Sequence, residues 1–273
     1  SKPRPAPPID ELEVNFRYDP FLHPDWLDHP RVKKFHAAGY KATNYVYRNL
    51  DGAAMMLALR LDKIDPSIEG KRKRMIAITP WVRKTNGDLR IAAKAMPAPR
   101  MLYGTETLLR PGPVWIVEGE KCRDALDALL LNSMPVVTPY GSNPERADLS
   151  LINSRPKIIL RDNDEKGIIL LEEYQVAFDQ KAVPLPCYWS GTGPIPKNWD
   201  IADEINAKEV PDQPPIKPLT IETFLAFLKK KSLLFIRPDY IKTVNIATRH
   251  IEKAIAARHK QEITDQKEPE QTE

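Results

Sequence analysis

A chain of 273 residues has room for two modest domains at about 100–200 residues each. Hydrophobic residues make up 42% and charged residues 29%, which is enough apolar material for a core and excludes wholesale disorder. No run approaches the roughly 18 uncharged apolar residues of a membrane span, and SKPRPAPPID at the N-terminus lacks the apolar run of a signal peptide. Two cysteines, Cys122 and Cys187, with no CxxC pair exclude a disulfide framework and a cysteine-rich zinc site. A soluble, reduced, cytoplasmic protein with no membrane partner is expected. Residue 1 is Ser rather than Met, as it would be in an excised fragment.

Charge is unevenly spread. Residues 1–30 carry a net −3, residues 31–110 a net +11, residues 111–210 a net −6 and residues 211–273 a net +2. A basic block followed by an acidic one suits a nucleic-acid groove beside a metal site, and equally suits solvated surfaces of opposite sign. Composition alone leaves both readings open.

Residues 1–30 are proline-rich and read as an irregular arm. From Tyr40 the pattern turns strand-like, with YVYRNLDGAAMMLALRLD alternating around Asp51-Gly52, a strong hairpin signal. A second strand pair is predicted over residues 74–82 and 89–93, turning at Asn86-Gly87. Pro97, Pro99, Pro111 and Pro113 break the pattern and set a boundary near residue 111. Beyond it, VWIV at 114–117 is short and wholly apolar, as in a strand buried on both faces. A helix follows, with Cys122, Ala125, Leu126, Leu129 and Leu130 on one face. Further strands are predicted at 134–138, 157–160 and 183–185, with a weak helical stretch at 144–153 and a helix over 168–178. Strands alternating with helices mean a parallel sheet with right-handed crossovers. After the linker VPDQPPIKP, helices are predicted at 220–236 and 239–260, the second capped by Asp239 and paired with the first as a hairpin. The fold class is therefore α/β: a parallel sheet with flanking helices, preceded by a basic α+β lobe and followed by a C-terminal helical hairpin. The divisions are 1–30, 31–110, 111–210 and 211–273.

Ligands bind beyond the carboxyl ends of parallel strands, so the residues that follow each strand matter most. VWIV leads into Glu118-Gly119-Glu120-Lys121, and KIIL into Arg161-Asp162-Asn163-Asp164. NWDIADE sets Asp200 and Asp203 in a loop entering a short helix. Each acid taken singly also suits a helix cap or a turn. Together they crowd one sheet edge with carboxylates that repel unless a cation offsets them. Hard oxygen ligands of this kind suit Mg²⁺ or Mn²⁺, and two such ions can clamp a phosphoryl transfer. DNDEKGIILLEE also has the outline of an EF-hand loop, but Lys166 takes a position that needs an oxygen ligand, and a strand precedes the loop rather than a helix.

In order, VWIVEGEK, IILRDNDEKG and WDIADE resemble the Toprim domain of bacterial and phage primases, topoisomerases and some nucleases. YVYRNLDG…LALR, the basic run 71–74 and PRMLYG are similar to the lobe that precedes Toprim in phage and mobile-element primases. The resemblance spans roughly residues 40–207. It implies that Glu118 is the general acid/base and that Asp162 and Asp164 are catalytic metal ligands. It implies Asp200 and Asp203 as a further acidic position, two Mg²⁺ or Mn²⁺ ions, and no zinc in this chain. One position departs from the pattern: many relatives have Asp four residues after the glutamate, where Cys122 stands. The N-terminal zinc module usual in such primases, and the helicase that often follows in phage versions, have no counterpart in this sequence.

The implied activity is that of a DNA primase, a nucleotidyltransferase that makes short primers from nucleoside triphosphates on single-stranded DNA. Phosphate contacts are expected from Arg60, Lys71, Arg72, Lys73, Arg74, Arg83 and Lys84, with Lys121 and Arg161 flanking the acidic centre. The run at 71–74 is expected to be exposed. Trp81, Tyr45 and Tyr47 fit core packing better than base stacking. A replicative helicase or a zinc-binding module is an expected partner of the C-terminal helices. The alternatives are a Toprim nuclease, or a non-catalytic module that binds DNA and docks a replication partner, with Cys122 marking a decayed metal site.

Overall fold

The computed structural model describes residues 29–65, 73–83, 89–191, 194–210 and 214–265, with the strand at 12–14 and residues 82, 83, 89 and 90 described by backbone alone. The chain divides into two compact units, Ser1–Glu106 and Thr107–Glu273.

In the first unit, helix α1 (Pro30–Ala37) starts on Pro30, with the His29 ring accepting the Arg31 N–H at 3.2 Å. The strands are β1 (Leu12–Val14), β2 (Tyr40–Arg48), β3 (Ala54–Lys63), β4 (Lys73–Arg83) and β5 (Leu89–Ala92). They form an antiparallel sheet of order β1-β4-β3-β2, with β5 also paired to β4. β2 and β3 meet through the expected hairpin. Gly52 takes a left-handed φ of +82° there, and the Asn49 side chain accepts the Ala53 N–H at 2.8 Å. Leu57, Leu59, Leu61, Ile76 and Ile78 share one core with Val32 and Tyr40. Tyr45, Tyr47 and Trp81 are buried, as core packing requires. The Asn86-Gly87 turn lies outside the described residues.

Two features of this unit differ from expectation. Leu12–Val14, within the supposed irregular arm, pairs with β4. Arg74 is half-buried rather than exposed, because its guanidinium lies over the Phe35 ring of α1, 5.2 Å from the centroid, where an apolar stem and a planar cation both find a partner.

The second unit is a parallel sheet of β6 (Val114–Ile116), β7 (Val136–Val137), β8 (Lys157–Leu160) and β9 (Ala182–Leu185), in the order β7-β6-β8-β9. The helices are α2 (Glu120–Leu129), α3 (Glu165–Ala177), α4 (Ile201–Ile205), α5 (Ile221–Ser232) and α6 (Pro238–Asp265). The stretch 144–153 resolves into two 3₁₀ turns, Pro144–Arg146 and Ser150–Ile152. α6 starts on Pro238, so its first amides bond to the Arg237 carbonyl. Asp239 therefore sits inside the first turn, paired to Arg237 at 2.7 Å, rather than at the position before the helix.

The C-terminal hairpin does not stand apart from the sheet. Phe224, Leu228, Val244, Ala247 and Ile251 belong to the same core as Trp115, Leu126, Ile158 and Val183. Tyr240 also donates its hydroxyl to the Gln180 carbonyl at 2.9 Å. Among the described residues, no helix is long and apolar enough to cross a membrane.

Candidate metal and phosphoryl-transfer site

From β6 the chain crosses to β7 on one side and then returns to β8 on the other. Outgoing connections diverge between β6 and β8, which opens a crevice at their carboxyl ends. Glu118 follows β6 and Asp162 follows β8, so both stand at that switch point.

Glu118 is only 7% exposed. Its Oε1 pairs with Lys166 at 3.0 Å, and the Ser142 hydroxyl donates to its carbonyl at 2.8 Å. Its Oε2 is buried and meets no N–H or alcohol donor. Asp162 lies against it. Burial first, then the charges of Glu118, Asp200 and Asp164, raise the Asp162 carboxyl to about 8, so it keeps a proton at neutral pH.

The loop holding Asp162 is set by its neighbours. Asp164 caps α3, accepting the Gly167 N–H at 2.6 Å, which starts that helix three residues before the predicted 168. A Cβ on Gly167 would sit 2.6 Å from the Asp162 carbonyl oxygen, so only glycine lets the helix approach this closely. Asn163 clasps the segment before α4. Its amide donates to the carbonyls of Ile195 at 3.1 Å and Pro196 at 3.0 Å, and its backbone bridges to Trp199. Glu204, fully buried, accepts from Trp199 Nε1 at 2.9 Å and from the Ser190 N–H at 3.0 Å. This clasp brings Asp200 beside Asp162.

Asp200 caps α4, accepting the Asp203 N–H at 2.7 Å, and lies 3.2 Å from Lys121 Nζ. Asp203 faces Lys121 and Lys208, each at 2.8 Å. Burial alone would raise its carboxyl, but the hydrogen bonds and charges of the two lysines outweigh burial and hold it low. Burial disfavours the Lys121 ammonium, and the same acids more than restore it.

Cys122, in the first turn of α2, completes the cluster. Its sulfur and one carboxylate oxygen each from Asp162 and Asp200 lie within 4.8 Å of one another, a group able to hold a metal ion. Burial, then Asp162 and Asp200, push its thiol well up. A carboxyl kept protonated by burial and by the acids around it is what a cation would relieve, so these residues fit a divalent ion.

Of the expected site residues, Glu118, Asp162 and Asp200 come together, Asp164 serves as a cap, and Asp203 turns to the lysines. Lys121 and Arg161 flank the centre, with Arg161 donating to the Asp162 carbonyl at 3.0 Å. In the first unit Arg60 chelates Asp62 at 2.6 and 3.1 Å, and Lys73 is exposed. Lys71, Arg72 and Lys84, and the side chain of Arg83, lie outside the described residues. Cys122 as a possible ligand and Asn163 as a clasp were not anticipated. The signal for Cys122 was its place four residues after Glu118.

No family model matches the sequence, and no curated protein matches it. The fold is similar to that of bacterial and phage primase domains. The primase fragment of the bacteriophage T7 primase-helicase protein matches at 15% identity and a TM-score of 0.36, over 58% of this chain and 62% of that one. A DNA primase domain from Pseudomonas aeruginosa matches at 12% identity and 0.42, over 76% and 64%. The zinc-binding and RNA polymerase domains of Aquifex aeolicus primase match at 12% and 0.42, over 91% and 62%. The chain thus spans about three fifths of the length of the T7 fragment.

Proposed function

We propose that this chain is the catalytic core of a Toprim-type DNA primase, a nucleotidyltransferase that joins nucleoside triphosphates on single-stranded DNA. The observation that carries the reading is the convergence of Asp162 and Asp200 with Cys122 at the switch-point crevice, with the buried Glu118 carboxylate against Asp162. Divalent ions such as Mg²⁺ or Mn²⁺, held by Asp162 and Asp200, would supply charge neutralisation of the phosphates and activation of the 3′-hydroxyl.

The chain's own residues do the rest. Glu118, oriented by Lys166 and by Ser142 on its backbone, is placed in the role of general acid/base. Lys121 and Arg161 present positive charge at the rim, where a triphosphate would dock, while Asp200 and Asp203 hold the Lys121 ammonium in position. The excess of basic residues over 31–110 suits template phosphates, with Lys73 its exposed representative in β4. A replicative helicase or a zinc-binding module as partner belongs to the same proposal.

The test is primer synthesis from labelled nucleotides on single-stranded DNA with Mg²⁺ or Mn²⁺, against the Asp162→Asn/Asp164→Asn variant. Asn caps a helix as well as Asp, so α3 keeps its start and the loss is one of chemistry. Short products that vanish in the variant support the reading. Template shortening without synthesis would mean a Toprim nuclease, and neither activity would mean a non-catalytic docking module.

A further inference from the structure

We propose that Cys122 is a metal ligand, so that the site takes a thiolate-tolerant divalent ion, such as Mn²⁺ or Zn²⁺, in preference to Mg²⁺. The inference rests on the metal-dependent reading above and deepens it. Cys122 Sγ and single oxygens of Asp162 and Asp200 lie within 4.8 Å of one another. An ion with bonds of about 2.0–2.3 Å spans such a group after small side-chain adjustments.

An independent observation points to a cation at the same place. Glu118 is more than nine-tenths buried, and its Oε2 meets no N–H or alcohol donor. It lies against Asp162, one of the three cluster members. Position matters too. Cys122 is on the first turn of α2 and Asp200 caps α4, so both are fixed by helix starts and not by mobile tips.

The donor set decides the ion. Mg²⁺ demands hard oxygen ligands in near-octahedral geometry and gains little from sulfur, whereas Zn²⁺, Co²⁺ and, less strongly, Mn²⁺ accept a mixed sulfur–oxygen set. On binding, the Cys122 S–H bond breaks. Its electron pair stays on sulfur and forms the metal–sulfur bond, and the proton leaves to solvent.

Co²⁺ titration of the whole chain tests this by absorption, with no recourse to activity. Wild type and Cys187→Ser are expected to develop a near-ultraviolet sulfur-to-cobalt charge-transfer band. Cys122→Ser is expected to lose it while keeping the weaker visible bands of bound Co²⁺. Competition should show Mn²⁺ or Zn²⁺ at least about tenfold tighter than Mg²⁺, with the ratio reduced in Cys122→Asp.

Co²⁺ bound with no charge-transfer band, or a band that survives Cys122→Ser, overturns Cys122 as ligand and leaves the carboxylate site intact. No Co²⁺ bound by wild type overturns the ligand assignment and the metal-dependent reading together. Should Cys122→Ser fail to fold, X-ray absorption of Zn²⁺-loaded Cys187→Ser decides. One sulfur at about 2.3 Å supports the proposal and none refutes it.

Discussion

Asp162 makes the protein's stability fall as pH rises, opposite to the usual carboxylate. Its native carboxyl holds a proton up to about 8, against 3.8 when unexposed to burial and to Glu118, Asp200 and Asp164. Between those values the native state binds the extra proton, so unfolding releases it and is favoured by higher pH. The contribution is intact below about pH 4 and fully lost above about pH 8. One proton is worth about 1.4 kcal/mol per pH unit. From pH 5.5 to 7.5 the ceiling is therefore about 2.7 kcal/mol, and partial solvation of the loop lowers the expectation to about 2 kcal/mol. His29 and His250, whose burial lowers them from 6.5, contribute in the opposite sense. The quantity to measure is thus the difference between wild type and Asp162→Asn, by urea unfolding with EDTA present. Wild type should lose about 2 kcal/mol relative to Asp162→Asn across that range. Saturating divalent ion should displace the proton and remove the slope. A difference that stays flat, or rises with pH, would refute the crowding argument.

Three further changes probe the scaffold of the site. Gly167→Ala forces a Cβ to within 2.6 Å of the Asp162 carbonyl oxygen and should cost about 1–3 kcal/mol, read by chemical denaturation, with Co²⁺ affinity falling alongside. Asn163→Ala removes both side-chain bonds to the segment before α4. It should weaken Mn²⁺ binding about tenfold through displacement of Asp200, at a stability cost of about 1–2 kcal/mol; unchanged Mn²⁺ binding would show that the clasp does not position Asp200. Lys157 is buried and its ammonium donates to the carbonyls of Ile152 at 3.0 Å, Asn153 at 2.8 Å and Arg155 at 2.7 Å. Lys157→Met strips those acceptors and should lower stability by about 3 kcal/mol without altering metal affinity.

The elements easiest to read in the sequence were those whose pattern is dictated by burial on both faces. KIIL reads as a covered strand, short, β-branched and bounded by Pro156 and a polar turn, and β8 is Lys157–Leu160 as expected. α3 begins at Glu165 rather than 168 because Asp164 caps it, and the Glu165-Lys166-Gly167 turn carries no apolar residue to mark the start. α1 escaped notice for a different reason. Its cap is a histidine, and over eight residues it offers only Val32 and Phe35 to the core, too short an apolar face to stand out. The 144–153 stretch holds two separate turns, one opening on Pro144 and one following Leu149, with no continuous helical ladder between them.

The site divides along the same line. That an acid following a buried parallel strand stands at the carboxyl edge of the sheet is a local rule, and it puts Glu118 and Asp162 there. Which distant acid joins them depends on tertiary clasps such as Asn163 and Glu204, whose hydrogen bonds have no periodic signature. Cys122 is the instructive case. Read along the sequence, it is a carboxylate missing from a familiar spacing. In three dimensions its sulfur sits within 4.8 Å of two carboxylates, in a pocket where burial first, and then the repulsion of neighbouring acids, holds a proton on Asp162 at neutral pH. A fourth carboxylate there would deepen that repulsion whenever the ion is absent, whereas a neutral thiol adds none and still becomes an anionic ligand once a cation displaces its proton. A thiol at this position therefore adds no electrostatic strain to the metal-free site.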